Sequence, residues 1–115
     1  MSSRGVLDGL KRCTRKSEPF DSIWERDYML LLEADDTVKR WERCRSLRIP
    51  YHKPDGVPAT YNPDFVVERV DGTKEIHEVK GTHMLGNPLT ELKLKAGAEF
   101  CRKHGMTFKV VTRSS

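Results

Sequence analysis

Apolar residues recur with the period of a helix in the stretch "FDSIWERDYMLLLEADD", residues 20–36. Ser22 is the predicted N-cap, and Glu25 stands three residues later, where it completes a capping box. Phe20 precedes the cap and can pack as a hydrophobic staple. We expect the helix to end at Asp35-Asp36. The side predicted to be buried comprises Ile23, Asp27, Leu30 and Ala34, widened by Trp24, Tyr28, Leu31 and Leu32.

After this helix, apolar and charged residues alternate, which is typical of half-buried strands. The alternation includes Val38 and then Leu47, Ile49 and Tyr51. "KPDG" predicts a turn. "TYNPDFVVERV" and "TKEIHEVKG" predict two strands joined at Asp71-Gly72, a dipeptide typical of two-residue hairpin turns. We therefore expect these two strands to be antiparallel neighbours.

A second helix is predicted in "TELKLKAGAEFCRKHG", with Thr90 as its cap and Gly105 as its C-terminal stop. Its apolar line runs through Leu92, Ala96 and Phe100. The last element, "MTFKVVT", reads as a strand. The predicted order is α-β-β-β-α-β, an α/β fold with a small mixed sheet flanked by helices.

Residues 1–19 show no sustained periodicity and contain several basic residues, so we expect a partly ordered basic N-terminal arm before a domain over residues 20–115. The 115 residues carry a net charge of +4 and a mean hydropathy of −0.65, as in soluble globular proteins. The sequence shows neither a membrane span nor a signal peptide, which predicts a cytoplasmic protein. Cys13, Cys44 and Cys101 are widely separated and read as reduced thiols.

The second strand of the hairpin carries an unusual set of polar residues. Side chains two apart on a strand share a face, so Glu78 and Lys80 project together, while His77 lies opposite and Val79 points to the core. Counting outward from the turn places Asp64 level with Glu78 and Val79. Two carboxylates with a backbone carbonyl make the oxygen site that Mg²⁺ prefers, and such a site can activate water and clamp a phosphoryl oxygen.

Pro63-Asp64 followed by Glu78-Val79-Lys80, in this order of elements, resembles the PD-(D/E)XK nuclease superfamily. The first helix with "YNPDFVVE", "HEVKG" and "FKVVT" is similar in particular to the catalytic domain of TnsA-type transposon endonucleases over about residues 20–112. TnsA-type proteins carry a second, DNA-binding domain, which we do not expect here. In size the chain is similar to the free-standing Holliday-junction resolvases of the superfamily, which act as dimers.

The resemblance implies roles for individual residues. Asp64 and Glu78 would hold Mg²⁺, or Mn²⁺ in its place, with the carbonyl of Val79. Lys80 would orient or help deprotonate the attacking water. Glu25 would complete the metal site directly or through water. Cleavage would leave a 5′-phosphate and a 3′-hydroxyl.

Each assignment has a simpler alternative. Asp64, Glu78 and Lys80 could form an exposed charge ladder on the sheet, and the capping box alone explains Glu25. Candidate DNA-binding residues share a positive or titratable side chain in the arm or near the catalytic strand; they are Lys11, Arg12, Arg15, Lys16, His83, Lys93 and Lys95. A solvated tail would equally explain the arm, and an ion pair with Glu91 would explain Lys95.

The sequence therefore predicts a metal-dependent DNA endonuclease. Without a separate sequence-reading module, recognition by DNA shape is expected, with branched DNA and Holliday junctions first, in recombination or repair. Paired cuts would require a homodimer. The alternatives are a TnsA-like nuclease directed by a partner protein, a non-catalytic nucleic-acid-binding module, and a structural protein.

Overall fold

The computed structural model describes residues 4–113; residues 1–3 of the predicted arm and residues 114–115 of the predicted domain lie outside the described residues. The elements are, in chain order, β1 (Gly5–Leu7), β2 (Glu18–Phe20), α1 (Ile23–Ala34), β3 (Val38–Arg43), β4 (Ile49–His52), β5 (Pro58–Tyr61), β6 (Phe65–Arg69), β7 (Lys74–Gly81), a 3-10 helix (Thr82–Met84), α2 (Pro88–Lys103) and β8 (Thr107–Arg113). None of the described helices is long and apolar enough to span a membrane.

The largest sheet has four strands in the order β3-β6-β7-β8, and β1-β2 and β4-β5 form separate two-stranded sheets. Strand β8 runs parallel to β7, with Glu78 opposite Val110 and Lys80 opposite Thr112. The turn between β6 and β7 is too short for a crossover connection, so these neighbours are antiparallel. The predicted mixed α/β class is confirmed. Five strands rather than three lie between the two helices.

By its contacts the chain divides into two compact units. One comprises Met1–Glu42 with Val67–Gly72, and the other comprises Arg43–Val66 with Thr73–Ser115. The first unit contains β1, β2 and α1, so part of the predicted arm is strand. The second contains the β4-β5 hairpin, β7, α2 and β8.

In the first unit, the predicted start of α1 is confirmed. The Ser22 hydroxyl accepts a hydrogen bond from the Glu25 N–H (3.1 Å), and the Glu25 carboxylate accepts one from the Asp21 N–H (2.7 Å). The predicted buried side is confirmed only in part. Tyr28 and Leu32, which it included, are buried, but so is Met29, which it did not include, and the predicted Leu30 is 46% exposed. Apolar residues surround most of this helix, so their spacing fitted more than one buried side.

The carboxylate of Glu33, near the end of α1, binds a segment of the predicted arm. It accepts backbone N–H groups from Lys11 (2.8 Å), Arg12 (2.9 Å) and Cys13 (3.0 Å), and the indole N–H of Trp41 (2.9 Å). Burial raises the pKa of Glu33, but these hydrogen bonds outweigh it and leave the pKa below its ordinary value. One carboxylate therefore joins the arm, α1 and β3.

The second unit shows that the predicted strand over residues 60–70 is two strands. Strand β5 ends at Tyr61 and pairs with β4, whereas β6 begins at Phe65. Pro63 lies between them and has no N–H for a sheet ladder, which favours a break there. The "KPDG" turn is confirmed as the β4-β5 connection.

Helix α2 begins earlier than predicted. The side-chain oxygen of Asn87 accepts the N–H groups of Leu89 (2.9 Å) and Thr90 (3.2 Å), so Asn87 is the N-cap and Pro88 takes the first helical position. Thr90, the predicted cap, is buried inside the helix. The Asn-Pro pair reads equally as a loop, but proline suits the first position because no helical acceptor is needed there.

Helix α2 packs on a core made of Ile49, Tyr51, Tyr61, Ile76 and Cys101, and its predicted apolar line of Leu92, Ala96 and Phe100 lies against that core. Gly97 allows the close approach, because a methyl group there would overlap the hydroxyl of Tyr61 and the ring of Phe108. The helix ends as predicted before Gly105, which has a positive φ of 67°.

Removal of the Glu33 carboxylate is expected to destabilise the protein. Hydrogen bonds to charged groups contribute about 1.5 to 3 kcal/mol, so Glu33→Ala should lower the free energy of unfolding in urea by at least about 2 kcal/mol. Glu68→Ala removes the same charge from an ion pair with Lys39 (3.8 Å) and should cost less than about 1 kcal/mol. Because the folded pKa is lowered, the Glu33 contribution is present above the unfolded value of 4.5 and is lost as pH falls below it. Equal losses in the two variants would contradict this role.

Candidate active site

Asp64 and Val79 meet where the segment before β6 passes β7. The carboxylate oxygen Oδ2 of Asp64 accepts the backbone N–H of Val79 at 2.7 Å. The prediction that Asp64 lies beside Val79 across the hairpin is therefore confirmed. A hydrogen bond to one oxygen fixes the orientation of the carboxylate, so Asp64 is held beside the strand that carries Glu78.

Glu78 is buried in the middle of β7. Its side chain is 2% exposed, and its Oε2 lies 3.9 Å from the Nζ of Lys80, so the prediction that these side chains share a face is confirmed. The other oxygen, Oε1, is buried without a hydrogen-bond partner within residues 4–113. A buried carboxylate oxygen without a partner is costly, which makes this oxygen a candidate to bind a water molecule or a cation.

The surroundings of Glu78 disfavour its charge. Burial raises the pKa of Glu78 to about 8, with a further rise from the charge of Asp64; the charge of Lys80, a hydrogen bond from the backbone N–H of Asp64 and the charge of Lys93 oppose the change. Without a cation, these surroundings favour the protonated form of Glu78. A positive ion between the two carboxylates would reverse this preference, because a nearby opposite charge favours the ionised form.

Tyr61, at the end of β5, is a site residue that the sequence analysis missed. Its hydroxyl is buried without a hydrogen-bond partner in the described part of the chain. Burial raises the pKa of Tyr61, and the charges of Glu78 and Asp64 raise it further. Its ring meets that of Tyr51 edge-on at 6.0 Å, and the Nζ of Lys93 lies 5.8 Å from the Tyr51 ring centre. In the sequence, the position of this tyrosine directly before Asn-Pro-Asp was the available signal that it lies near Asp64.

The donor set fits a hard divalent cation. No group of three or more His, Cys, Asp or Glu side chains within residues 4–113 could hold a metal ion. A pair of carboxylates, here Asp64 and Glu78, suits Mg²⁺, which keeps several waters in its shell and accepts a backbone carbonyl such as that of Val79. The partnerless Oε1 of Glu78 is the observation that supports this fit.

Both faces of β7 are buried, unlike the predicted arrangement. Ile76, His77 and Glu78 are all buried, whereas Val79, predicted to enter the core, is half-buried. The Nε2 of His77 lies 2.7 Å from the Oε1 of Glu75, which explains a histidine at 1% exposure as a packed, hydrogen-bonded residue. The alternation rule placed the side chains on the correct faces but assumed that only one face was covered.

The remaining candidates lie in several elements. Glu25 is in α1, in the first unit, where its carboxylate accepts the backbone N–H of Asp21, the residue before the N-cap. Arg12 is held by the carbonyls of Glu33 (3.0 Å) and Val38 (2.9 Å). His83 is exposed in the 3-10 helix, and its ring lies against Gly81. Among the other DNA-binding candidates, Lys93 is half-buried. The exposed ones are Lys11, Arg15, Lys16 and Lys95.

The protonation of Glu78 should be visible in the stability of the metal-free protein. The pKa of Glu78 is about 8 in the folded protein and 4.5 in the unfolded chain, so the unfolded state binds fewer protons between these values. Stability in EDTA should therefore fall by up to about 1.4 kcal/mol per pH unit between pH 4.5 and 8, relative to Glu78→Gln. Urea unfolding at pH 5, 6, 7 and 8 measures this difference. Parallel profiles for the wild type and Glu78→Gln would contradict the buried-acid assignment, and Glu68→Gln is the matched surface control.

Comparison with known proteins agrees with this geometry. Residues 35–113 match the family described as TnsA-like endonuclease N terminal. The matched segment includes Asp64, Glu78 and Lys80 and begins after Glu25. No curated protein matches the chain. Because the match covers most of the sequence and includes the paired carboxylates, the chain belongs to the TnsA-like endonuclease N-terminal family, within the PD-(D/E)XK superfamily.

Proposed function

We propose that the chain is a metal-dependent endonuclease that hydrolyses phosphodiester bonds in DNA at Asp64, Glu78 and Lys80. The observation that supports this most directly is the burial of Glu78 with a partnerless oxygen, since its neighbours Asp64 and Lys80 supply a second acid and a base. An exposed charge ladder, the simpler alternative, would leave Glu78 in water. Membership of an endonuclease family agrees with the proposal.

Asp64 and Glu78 would hold a Mg²⁺ or Mn²⁺ ion together with the carbonyl of Val79. When bound, that ion would supply Lewis-acid chemistry to the scissile phosphate. Asp64 is already oriented by the Val79 N–H, and Glu78 is oriented by its place on β7. The products would be a 5′-phosphate and a 3′-hydroxyl.

Lys80 would position the attacking water and stabilise negative charge at the phosphate. Its side chain is 26% exposed, so its ammonium is reachable from solvent while it lies 3.9 Å from Glu78. A positively charged donor at this place can hold water by hydrogen bonds.

The nuclease has two proposed modes of action on DNA. In the first, it is a TnsA-like strand-cleaving nuclease directed to its DNA by a partner protein, which the family match favours. In the second, a homodimer cleaves branched DNA, and its two sites make paired cuts. Holliday junctions are the first candidate among branched substrates. Lys11, Arg12, Arg15, Lys16, His83, Lys93 and Lys95 are proposed as phosphate contacts in either version.

Cleavage assays with end-labelled DNA test the proposed function. Purified protein with Mg²⁺ should cut a four-way junction, or a linear duplex of the same sequence, and Asp64→Asn should reduce the rate at least about 100-fold. Asp55→Asn is a matched control, since Asp55 also follows a proline and its carboxylate accepts the N–H of Val57 in a turn (3.0 Å). Symmetric cuts in the junction alone support a resolvase. Normal cleavage by Asp64→Asn would refute the site.

Glu25 requires a separate variant, because it has a capping role as well as a proposed metal role. Glutamine at this position of a capping box still accepts the backbone N–H but carries no charge. Because this hydrogen bond is kept, Glu25→Gln should change the unfolding temperature by no more than about 2 °C, which corresponds to less than 1 kcal/mol. The loss of the charge should reduce the rate of cleavage at least about tenfold. Unchanged cleavage at saturating Mg²⁺ would leave Glu25 with its capping role alone.

A further inference from the structure

A basic loop joins β3 to β4. Residues 43–48 contain three arginines and no acid. Arg45 and Arg48 are exposed, and Arg43 is half-buried at the end of β3. These residues are not among the DNA contacts predicted from the sequence.

The loop is bound to the segment that carries Asp64. The Cys44 N–H donates a hydrogen bond to the backbone carbonyl of Asp64 at 2.9 Å. The side-chain amide of Asn62 donates to the Leu47 carbonyl at 2.7 Å and approaches the Arg45 carbonyl at 3.4 Å. The backbone on both sides of Arg45 is therefore attached to the two residues that flank Pro63.

These hydrogen bonds relate the loop to the site itself. Asp64 is bound through its carbonyl to the loop and through its carboxylate to Val79 of β7. A displacement of the loop is thus resisted by contacts to the residue that would hold the cation. A solvated basic surface explains the charge but does not require this attachment to the site.

We propose that Arg45 and Arg48 bind the phosphate backbone of the DNA substrate, and that Asn62 holds this loop in register with Asp64. The proposal rests on the proposed nuclease function and names the part of the surface that receives the DNA. Guanidinium groups bind phosphate oxygens in pairs of parallel hydrogen bonds, which positions a duplex without reading its sequence. Asn62 is a positioning residue that acts through the loop.

Binding of a fluorescent duplex in EDTA tests the proposal without cleavage. The double variant Arg45→Gln/Arg48→Gln should weaken binding at least about tenfold at 100 mM salt. It should also lower the slope of log K against log salt by about 2, because two phosphate contacts are lost. The fold should be retained, since both side chains are exposed, and thermal unfolding checks this.

A matched control removes the same charge elsewhere in the same unit. Lys74 and Lys109 are exposed in the first half of the parallel strands β7 and β8, whereas Asp64 meets Val79 near the end of β7. Lys74→Gln/Lys109→Gln should lower the affinity by less than about threefold through net charge alone. Equal losses in the two double variants would overturn the proposal, as would failure of the wild type to bind duplex at 20 mM salt.

Asn62→Ala separates position from charge. It should leave the salt slope unchanged while reducing cleavage more than binding, and a change in neither would overturn the positioning role. If the wild type never cleaves DNA but the arginine variant binds more weakly than the lysine variant, the nuclease function fails and the DNA contact stands. If the wild type cleaves and the arginine variant binds and cleaves normally, the DNA contact fails alone.

Discussion

The burial of ionisable side chains on both faces of β7 is the constraint on which this structure depends. His77 is 1% exposed and Glu78 is 2% exposed, on opposite sides of the same strand. Each buried polar group needs a partner. Glu75 supplies one to His77 from within the strand. Glu78 receives the backbone N–H of Asp64 and the more distant ammonium of Lys80, but its Oε1 has no partner within residues 4–113, and the stability of the fold must tolerate that deficit.

That deficit is compatible with folding because the rest of the second unit is well packed around it. Strand β8 pairs along the length of β7, and α2 approaches closely enough at Gly97 to exclude any larger residue. The aromatic rings of Tyr51 and Tyr61 fill the core beside the site. A rigid apolar surrounding holds the carboxylate where a cation is needed, at the cost of raising the pKa of Glu78 in the ion's absence.

Sequence reasoning succeeded where the signal was local. The position of the hairpin turn, the shared face of Glu78 and Lys80, and the cap at Ser22 all follow from the periods and turn chemistry of short segments, although the turn has four residues between β6 and β7 rather than the predicted two. It failed where tertiary contacts determine the structure. Apolar residues surround most of α1, so their spacing did not identify the buried side. Asn62 was predicted to lie in a strand, because its hydrogen bond to the distant Leu47 leaves no mark in the local pattern. The roles of Asp64 and Glu25 came from the family resemblance, and the family match itself includes only the former.

The hydrogen bond between Asp64 and the Val79 N–H has one further consequence. An amide proton that points at a carboxylate experiences its charge, so the amide resonance of Val79 changes whenever that charge is neutralised or shared. The site thus contains its own spectroscopic reporter, readable in a ¹⁵N-labelled sample. Occupancy by any ion can be followed at a single backbone position, in the unmodified protein and without a substrate.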